Sequence, residues 1–286
     1  MPKLLAVLFG ATIGAAAGQT PAPIDIRDRL DGYLAAYEPA LSALVARERM
    51  TQTIQAPVAA AQLRFARPTI VDERKLESEV AFMPLPGDFG WMGIRVVRKV
   101  DGKPVATKPD TLANFLRSDR PLELANQILA DSARYNLGST RNTNLPNLPL
   151  ELLHPRHRER FSYAIEGRDR INRVNVSILT FEEIGARPLI RAPDGTALIS
   201  HITAWVDDKG RLLRAEVRSR ASARRLQDEP VVRVEFSRHQ ALDLMVPSEM
   251  REQFPTTTRG EMGVSVAKYS DFRRFETSAR IVPQLP

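Results

Sequence analysis

The chain has 286 residues, 43% hydrophobic and 26% charged, the balance of a globular protein with a real core. It contains no cysteine, which excludes disulfides, thiolate catalysis, cysteine metal sites and the lipidated cysteine of a bacterial lipoprotein. Its net charge of +7 rests on 7 Lys and 34 Arg, 41 in all, and the arginines are scattered beside glutamates rather than gathered with exposed aromatics, so nucleic acid is not the expected partner.

The opening stretch MPKLLAVLFGATIGAAAGQT has the parts of a secretory leader in order. Lys3 is the positive end, Leu4 to about Ile13 the apolar run, and Ala15–Ala17 the small-residue cleavage region. A signal peptide over 1–18 and a single domain over 19–286, in the periplasm or secreted, are therefore expected. Apolar residues at helical spacing follow (Ile26, Leu30, Tyr33, Leu34, Tyr37, Leu41, Leu44, Val45) and predict a helix over 24–50, with Pro39 as a kink.

From Val58 the period changes to two. LESEVAFM (76–83) puts Leu76, Val80 and Phe82 on one face, interrupted by Ser78. PLPGDFG then reads as turn chemistry, and WMGIRVVRKVDGKPV (91–105) as a strand entering a turn at Asp101-Gly102. TLANFLRSD and PLELANQILADSARYNLG (121–138) return to helical spacing, with Pro121 suited to a first turn and Gly138 to a stop. Together these make a strand–helix module over about 74–138. RNTNLPNLPLELLHP (141–155), rich in Asn and Pro, reads as a connector.

Beyond it short strands alternate with turns. The expected apolar faces are Phe161, Tyr163 and Ile165; Val174, Val176 and Ile178; Leu213, Ala215 and Val217; Val232, Val234 and Phe236; Val264 and Val266. ISHITAWVDDKGRLLRAEVRSR (199–220) is the clearest hairpin, its turn at Asp-Asp-Lys-Gly. A sheet polar on one side needs a cover on the other, and the amphipathic segments before residue 140 are the candidates. The fold class expected is α+β: a curved, mostly antiparallel, half-barrel-like sheet with helices on its concave face.

That element order, carried by AWVDDKGRLLRAEV and VVRVEFSRHQALDLMVPSEM within residues 200–275, resembles the periplasmic outer-membrane lipoprotein carrier and receptor family. The resemblance implies an open half-barrel with a helical lid over an apolar cavity, here lengthened by the module before residue 150. WMGIRVVRKVDGKPV, ADSARYNLGSTRNTNLPNLPLELL, MVPSEMRE and YSDFRRF also look like a group of exported bacterial proteins of acidobacterial type, a likeness that implies no activity.

Sites of reaction find little support. HPRH places His154 and His157 three apart with Pro155 between them, which is no metal-ligand pattern. GVSVA (263–267) lacks the final glycine of a nucleophile elbow and lies in a strand. Glu182 and Glu183 are adjacent on a strand and face opposite ways. No catalytic residue, metal or cofactor is expected.

What remains is an apolar stripe. Trp205, Tyr163, Val217, Val234 and Phe236 are the candidate cavity residues for an apolar or lipidic ligand, with plain core as the other reading. Trp205 shares the parity of His201 and Thr203, which suits a cavity rim. The alternative function is binding an envelope protein or peptide at a sheet edge or in a PDZ-like groove, prompted by VRKVDGKPVATKPDTLANFLRS (97–118). The charge also allows peripheral contact with an anionic membrane.

Overall fold

The computed structural model describes residues 25–274 except 43, 57–67, 85–90, 107–110, 119–120, 139–140, 142–143, 186, 193–194, 222–228, 257 and 259. The expected leader, the strand start at Val58 and the turn after Pro84 lie outside the described residues.

The first helix, α1 (Ile26–Leu41), is shorter than its apolar spacing predicts. Ser42 closes it by donating its N–H and its hydroxyl to the Glu38 carbonyl, at 3.0 and 2.7 Å. Residues 44–50, expected as helix, begin strand β1 (Leu44–Gln55). Leu44 and Val45 look helical in sequence because both are buried, but they are buried on opposite faces, Leu44 in the main core and Val45 in a second one.

Strands β2 (Ile70–Pro84), β3 (Trp91–Val100) and the short β4 (Lys103–Pro104) follow. The β3–β4 turn has positive φ at Asp101 and Gly102, as a two-residue hairpin requires. Helices α2 (Thr111–Leu116) and α3 (Pro121–Ala133) come next, and α4 (Leu148–Leu153) lies where a plain connector is expected. Pro149 sits in its first turn, and Leu150, Leu152 and Leu153 are buried, which gives so short a helix its reason to form.

The second half is strand: β5 (Phe161–Ile171), β6 (Val174–Glu183), β7 (Ile190–Arg191), β8 (Ala197–Asp207), β9 (Leu212–Arg220), β10 (Val231–His239), β11 (Leu244–Pro255) and β12 (Met262–Arg274). All pairings are antiparallel, in the order β4-β3-β2-β1-β12-β11-β10-β9-β8-β6-β5, with β7 on β8. The result is one open, curved antiparallel sheet with a few helices, the α+β half-barrel class expected.

The helices do not all share its concave face. α1 and α4 lie on the inner side, where Leu30, Leu34, Tyr37 and Leu41 join the main core with the inner residues of β1, β2 and β8–β12. Instead, α2 and α3 cover the other side of β1–β3, where Leu112, Phe115, Ala125 and Ile128 meet Val45, Ala81, Ile94 and Val96. Both parities of Ile94–Val97 are buried, and a strand apolar on both faces needs two covers.

Other expected faces shift too. On β12 the buried parity is Gly263, Ser265, Ala267 and Tyr269, leaving Val264 and Val266 half-exposed on the outside. Phe254 explains the choice, since a Cβ at Gly263 would lie 2.0 Å from its ring. On β6 the buried apolar positions beyond Ile178 are Leu179 and Phe181. Ile165, on the free edge strand β5, is 57% exposed.

Candidate functional site

The inner face of the sheet is built from cross-strand rows that register fixes. One row runs Ile165–Leu179–Ala204–Ala215–Val234–Met250–Ala267–Met50–Leu76 through nine strands. From Leu179 to Leu76 no member is more than 2% exposed, and all of it is apolar. A neighbouring row begins the same way, Tyr163–Phe181–Ile202–Val217–Val232, and then turns polar: Glu252–Ser265–Gln52–Arg74.

Two covers meet the inner face. Helix α1 crosses it from the β5 edge to β11 and β2, anchored at its start by Arg27, whose guanidinium sits 4.6 Å from the Tyr163 ring centre and donates to the Arg158 carbonyl at 2.8 Å. Tyr163 donates its hydroxyl to Asp25, the N-cap residue of α1, which holds the Asp25 carboxyl below its ordinary value and the phenol above its own. The DDKG turn grips the same helix. Gly210 has φ +80°, and a Cβ there would lie 2.3 Å from the Arg29 carbonyl oxygen. Buried Asp207 accepts the N–H groups of Lys209 and Arg211 at 3.0 and 2.8 Å, and the Arg211 guanidinium at 2.7 Å.

The polar half is met by the described residues of the segment that leaves α3, 134–138, 141 and 144–147. Gln52 accepts the Leu137 N–H at 2.6 Å and donates to Asn136 at 3.2 Å. Arg141 donates to Glu252 at 2.7 Å and to the Ser265 hydroxyl at 3.2 Å, and its guanidinium carbon stands 3.4 Å from the Phe254 ring centre. Arg95 binds Glu48 through two hydrogen bonds, 2.6 and 2.8 Å, while donating to the Asn144 side chain and carbonyl at 3.2 and 2.6 Å. Leu137, packed with Ile54 and Phe254, Leu145 and the partly buried Tyr135 are the apolar anchors among the described residues of this segment. The second carboxylate oxygen of Glu252 and the Ser78 hydroxyl are buried with no hydrogen-bond partner among the described residues.

Of the five residues singled out from sequence, Val217 and Val234 lie in these rows, Phe236 joins the same core, and Tyr163 stands half-buried where the second row meets the sheet edge. Trp205 is partly buried and packs against the margin of the main core, but its parity opposes buried Ala204 and Val206, which puts it on the outer face, paired with Arg214, whose guanidinium is 5.2 Å from its ring. A cavity of about 350 Å3 between β3 and α3, and an open groove of about 780 Å3 on the outer face of β1–β3, are lined by none of the five.

Sequence reading missed Glu48, Gln52, Glu252, Arg95 and Arg141. A signal was there: Leu44, Ala46, Glu48, Met50, Gln52 and Ile54 alternate as one strand face carrying two polar residues. The weak reaction sites resolve into structure. Ser265 is buried under Arg141, Glu183 caps the N–H groups of Leu189 and Ser200, and His157 pairs with Glu151 at 2.9 Å. Among the described residues no three His, Asp or Glu side chains converge as metal ligands.

No protein-family model matches the chain, and no curated protein is significantly similar to it. Solved structures are. An outer membrane lipoprotein-sorting protein domain from Vibrio parahaemolyticus aligns at 11% identity and TM-score 0.42, over 87% of this chain and 93% of that one. A LolA superfamily protein from Nitrosomonas europaea aligns at 10% and 0.34, over 86% and 94%, and the Mycobacterium tuberculosis lipoprotein LppX at 11% and 0.27, over 86% and 92%.

Proposed function

We propose that this chain is a non-catalytic binder of an acyl chain or similar apolar ligand in the bacterial cell envelope, and that the ligand reaches the inner face when segment 134–147 lifts. The observation that carries the reading is the change of character along the second inner row, apolar from Phe181 to Val232 and polar from Glu252 onward, where Glu252, Ser265 and Gln52 bond to that segment. Removing α1 would expose four core side chains, each a loss of roughly 1.5–3 kcal/mol. Lifting 134–147 mainly exchanges hydrogen bonds for water, and a net bond contributes only about 0.5–1.5 kcal/mol. Its buried ion pair, Arg141 with Glu252, recovers its hydration on opening. The segment is the cheaper door. An envelope location also agrees with the leader expected at residues 1–18.

The test uses the absence of native cysteine. A Cβ on Gly93 would stand 3.0 Å from the Asn147 Cγ, so Gly93→Cys with Asn147→Cys brings two sulfurs within disulfide reach. A fluorescent fatty-acid analogue should bind the reduced protein and fail to bind the oxidised one. Equal binding in both states would exclude entry beneath this segment. Protein purified from its own envelope fraction should also carry lipid in a native mass spectrum; no lipid there and no binding across several lipid classes would remove the reading.

A further inference from the structure

The hairpin at the far edge of the sheet carries its charge differently from the other strands. Strand β5 is the last in the order and pairs only with β6, and the two close through Ile171 and Val174 around Asn172 and Arg173. Both loop residues have positive φ, 48° and 70°, the conformation a two-residue loop between twisted strands requires. Asparagine suits the first position. The second usually falls to glycine, because a left-handed residue brings its Cβ against its own carbonyl, yet here it is an arginine. Strain of this kind at an exposed tip asks for a use outside the fold.

Arg168 and Arg170 stand on the same hairpin, exposed, with neutral residues across the ladder, Ser177 and Asn175. Among the described residues none of these three guanidiniums has a hydrogen-bond or ion-pair partner. Elsewhere the strand arginines are matched: Arg98 and Arg273 to Glu79, Arg214 to Glu235, Arg218 and Arg233 to Glu216. Register decides what lies beside the tip. Val176 pairs with Asp207, so the Asp207–Gly210 turn stands next to the hairpin end, and Arg29 of α1 donates to the Asp208 carbonyl of that turn at 2.5 Å. Arg29 and Lys209 are both exposed, while the Asp207 carboxylate is neutralised by Arg211. This end of the molecule thus sets Arg168, Arg170, Arg173, Arg29 and Lys209 against the exposed carboxylates of Asp169 and Asp208.

We propose that this end of the sheet, with the 168–173 hairpin at its tip, docks the protein on an anionic membrane surface. From Gly167 to Asn175 no large apolar side chain is exposed, so the patch lacks the apolar centre on which a protein partner would be anchored. A layer of anionic headgroups needs no such centre. It attracts every Lys or Arg that comes within about a Debye length of it, whatever the exact geometry of each. The inference does not rest on acyl binding, since segment 134–147 bonds to β1, β11 and β12 in the other half of the sheet.

The test is sedimentation with vesicles of phosphatidylcholine mixed with phosphatidylglycerol, and with vesicles of phosphatidylcholine alone. The protein should bind the mixed vesicles more tightly and lose that preference at high salt. Arg168→Gln, Arg170→Gln and Arg173→Gly together should lower affinity for the mixed vesicles by roughly a hundredfold, on the order of fivefold for each cation near an anionic surface. Arg49→Gln, Lys103→Gln and Lys268→Gln, at exposed positions on β1, β4 and β12, remove the same charge and should change it far less. Arg173→Gly alone relieves the left-handed residue, so it should keep or raise the denaturation midpoint while lowering vesicle affinity. No preference for the anionic vesicles, an equal loss in both triple variants, or a lower midpoint with unchanged affinity in Arg173→Gly would each overturn the proposal.

Discussion

Arg95→Met tests whether the polar half of the inner face is held as described. The substitution removes four hydrogen bonds, two to Glu48 and two to Asn144, and replaces a guanidinium by an apolar side chain. Arg95 is 2% exposed and Glu48 0%, so the Glu48 carboxylate would be left without its counter-charge and without water. Breaking such a pair costs about 3–5 kcal/mol, whereas replacing both members by apolar residues is often neutral or favourable. Urea denaturation of the parent, Arg95→Met, Glu48→Leu and the double variant closes the cycle. The double variant should be more stable than Arg95→Met alone, with a coupling energy of about 2 kcal/mol or more, within the range of residues in direct contact. Single losses below about 0.5 kcal/mol, or additivity within that margin, would refute the pairing.

N-terminal sequencing of exported material should begin between Gly18 and Thr20; an intact Met1 on a cytoplasmic protein would refute the leader. Gly210→Ala should lower stability by about 1–3 kcal/mol in chemical denaturation, because it strains a left-handed residue and drives a methyl into the α1 backbone. Burial raises the Glu216 carboxyl, but Arg233 and Arg218 outweigh it, leaving its pKa below the ordinary value. Its contribution is therefore present above the unfolded pKa of about 4.3 and lost as pH falls through the lower folded value. Glu216→Gln should cost on the order of 1 kcal/mol at neutral pH, and the gap to the parent should close on acidification below about pH 4. Trp205→Phe should leave acyl-probe binding unchanged, since the ring lies on the outer face; a clear loss of affinity would place the ligand there instead.

How far the sequence could be read depended on whether a residue's neighbours along the chain were also its neighbours in burial. The hairpin at Asp207–Gly210 was legible because turn geometry and alternation are local: one glycine must take positive φ, and Ala204, Val206, Ala215 and Val217 then fall on one face. Leu44-Val45 was misread because helical spacing and a strand buried on both faces give the same consecutive apolar letters, and only the presence of α2 and α3 on the far side separates them. Val264 and Val266 misled for the opposite reason. Their β-branched side chains suit a strand wherever they point, while the inner parity had to be small, at Gly263, Ser265 and Ala267, to admit Phe254 and Arg141. The polar cover was the least legible part. Arg141 and Glu252 are 111 residues apart, Gln52 and Leu137 85, and nothing local to either marks the other as its partner. What sequence does record is the anomaly on each strand alone, Glu48 and Gln52 among apolar alternates in β1 and Glu252 between Met250 and Phe254 in β11. Buried polar side chains at core parity imply a polar surface packed against them. In this chain that surface is carried by Asn136, Leu137, Arg141 and Asn144, far along the chain from the strands they cover, and the same residues are those proposed above to move when a ligand enters.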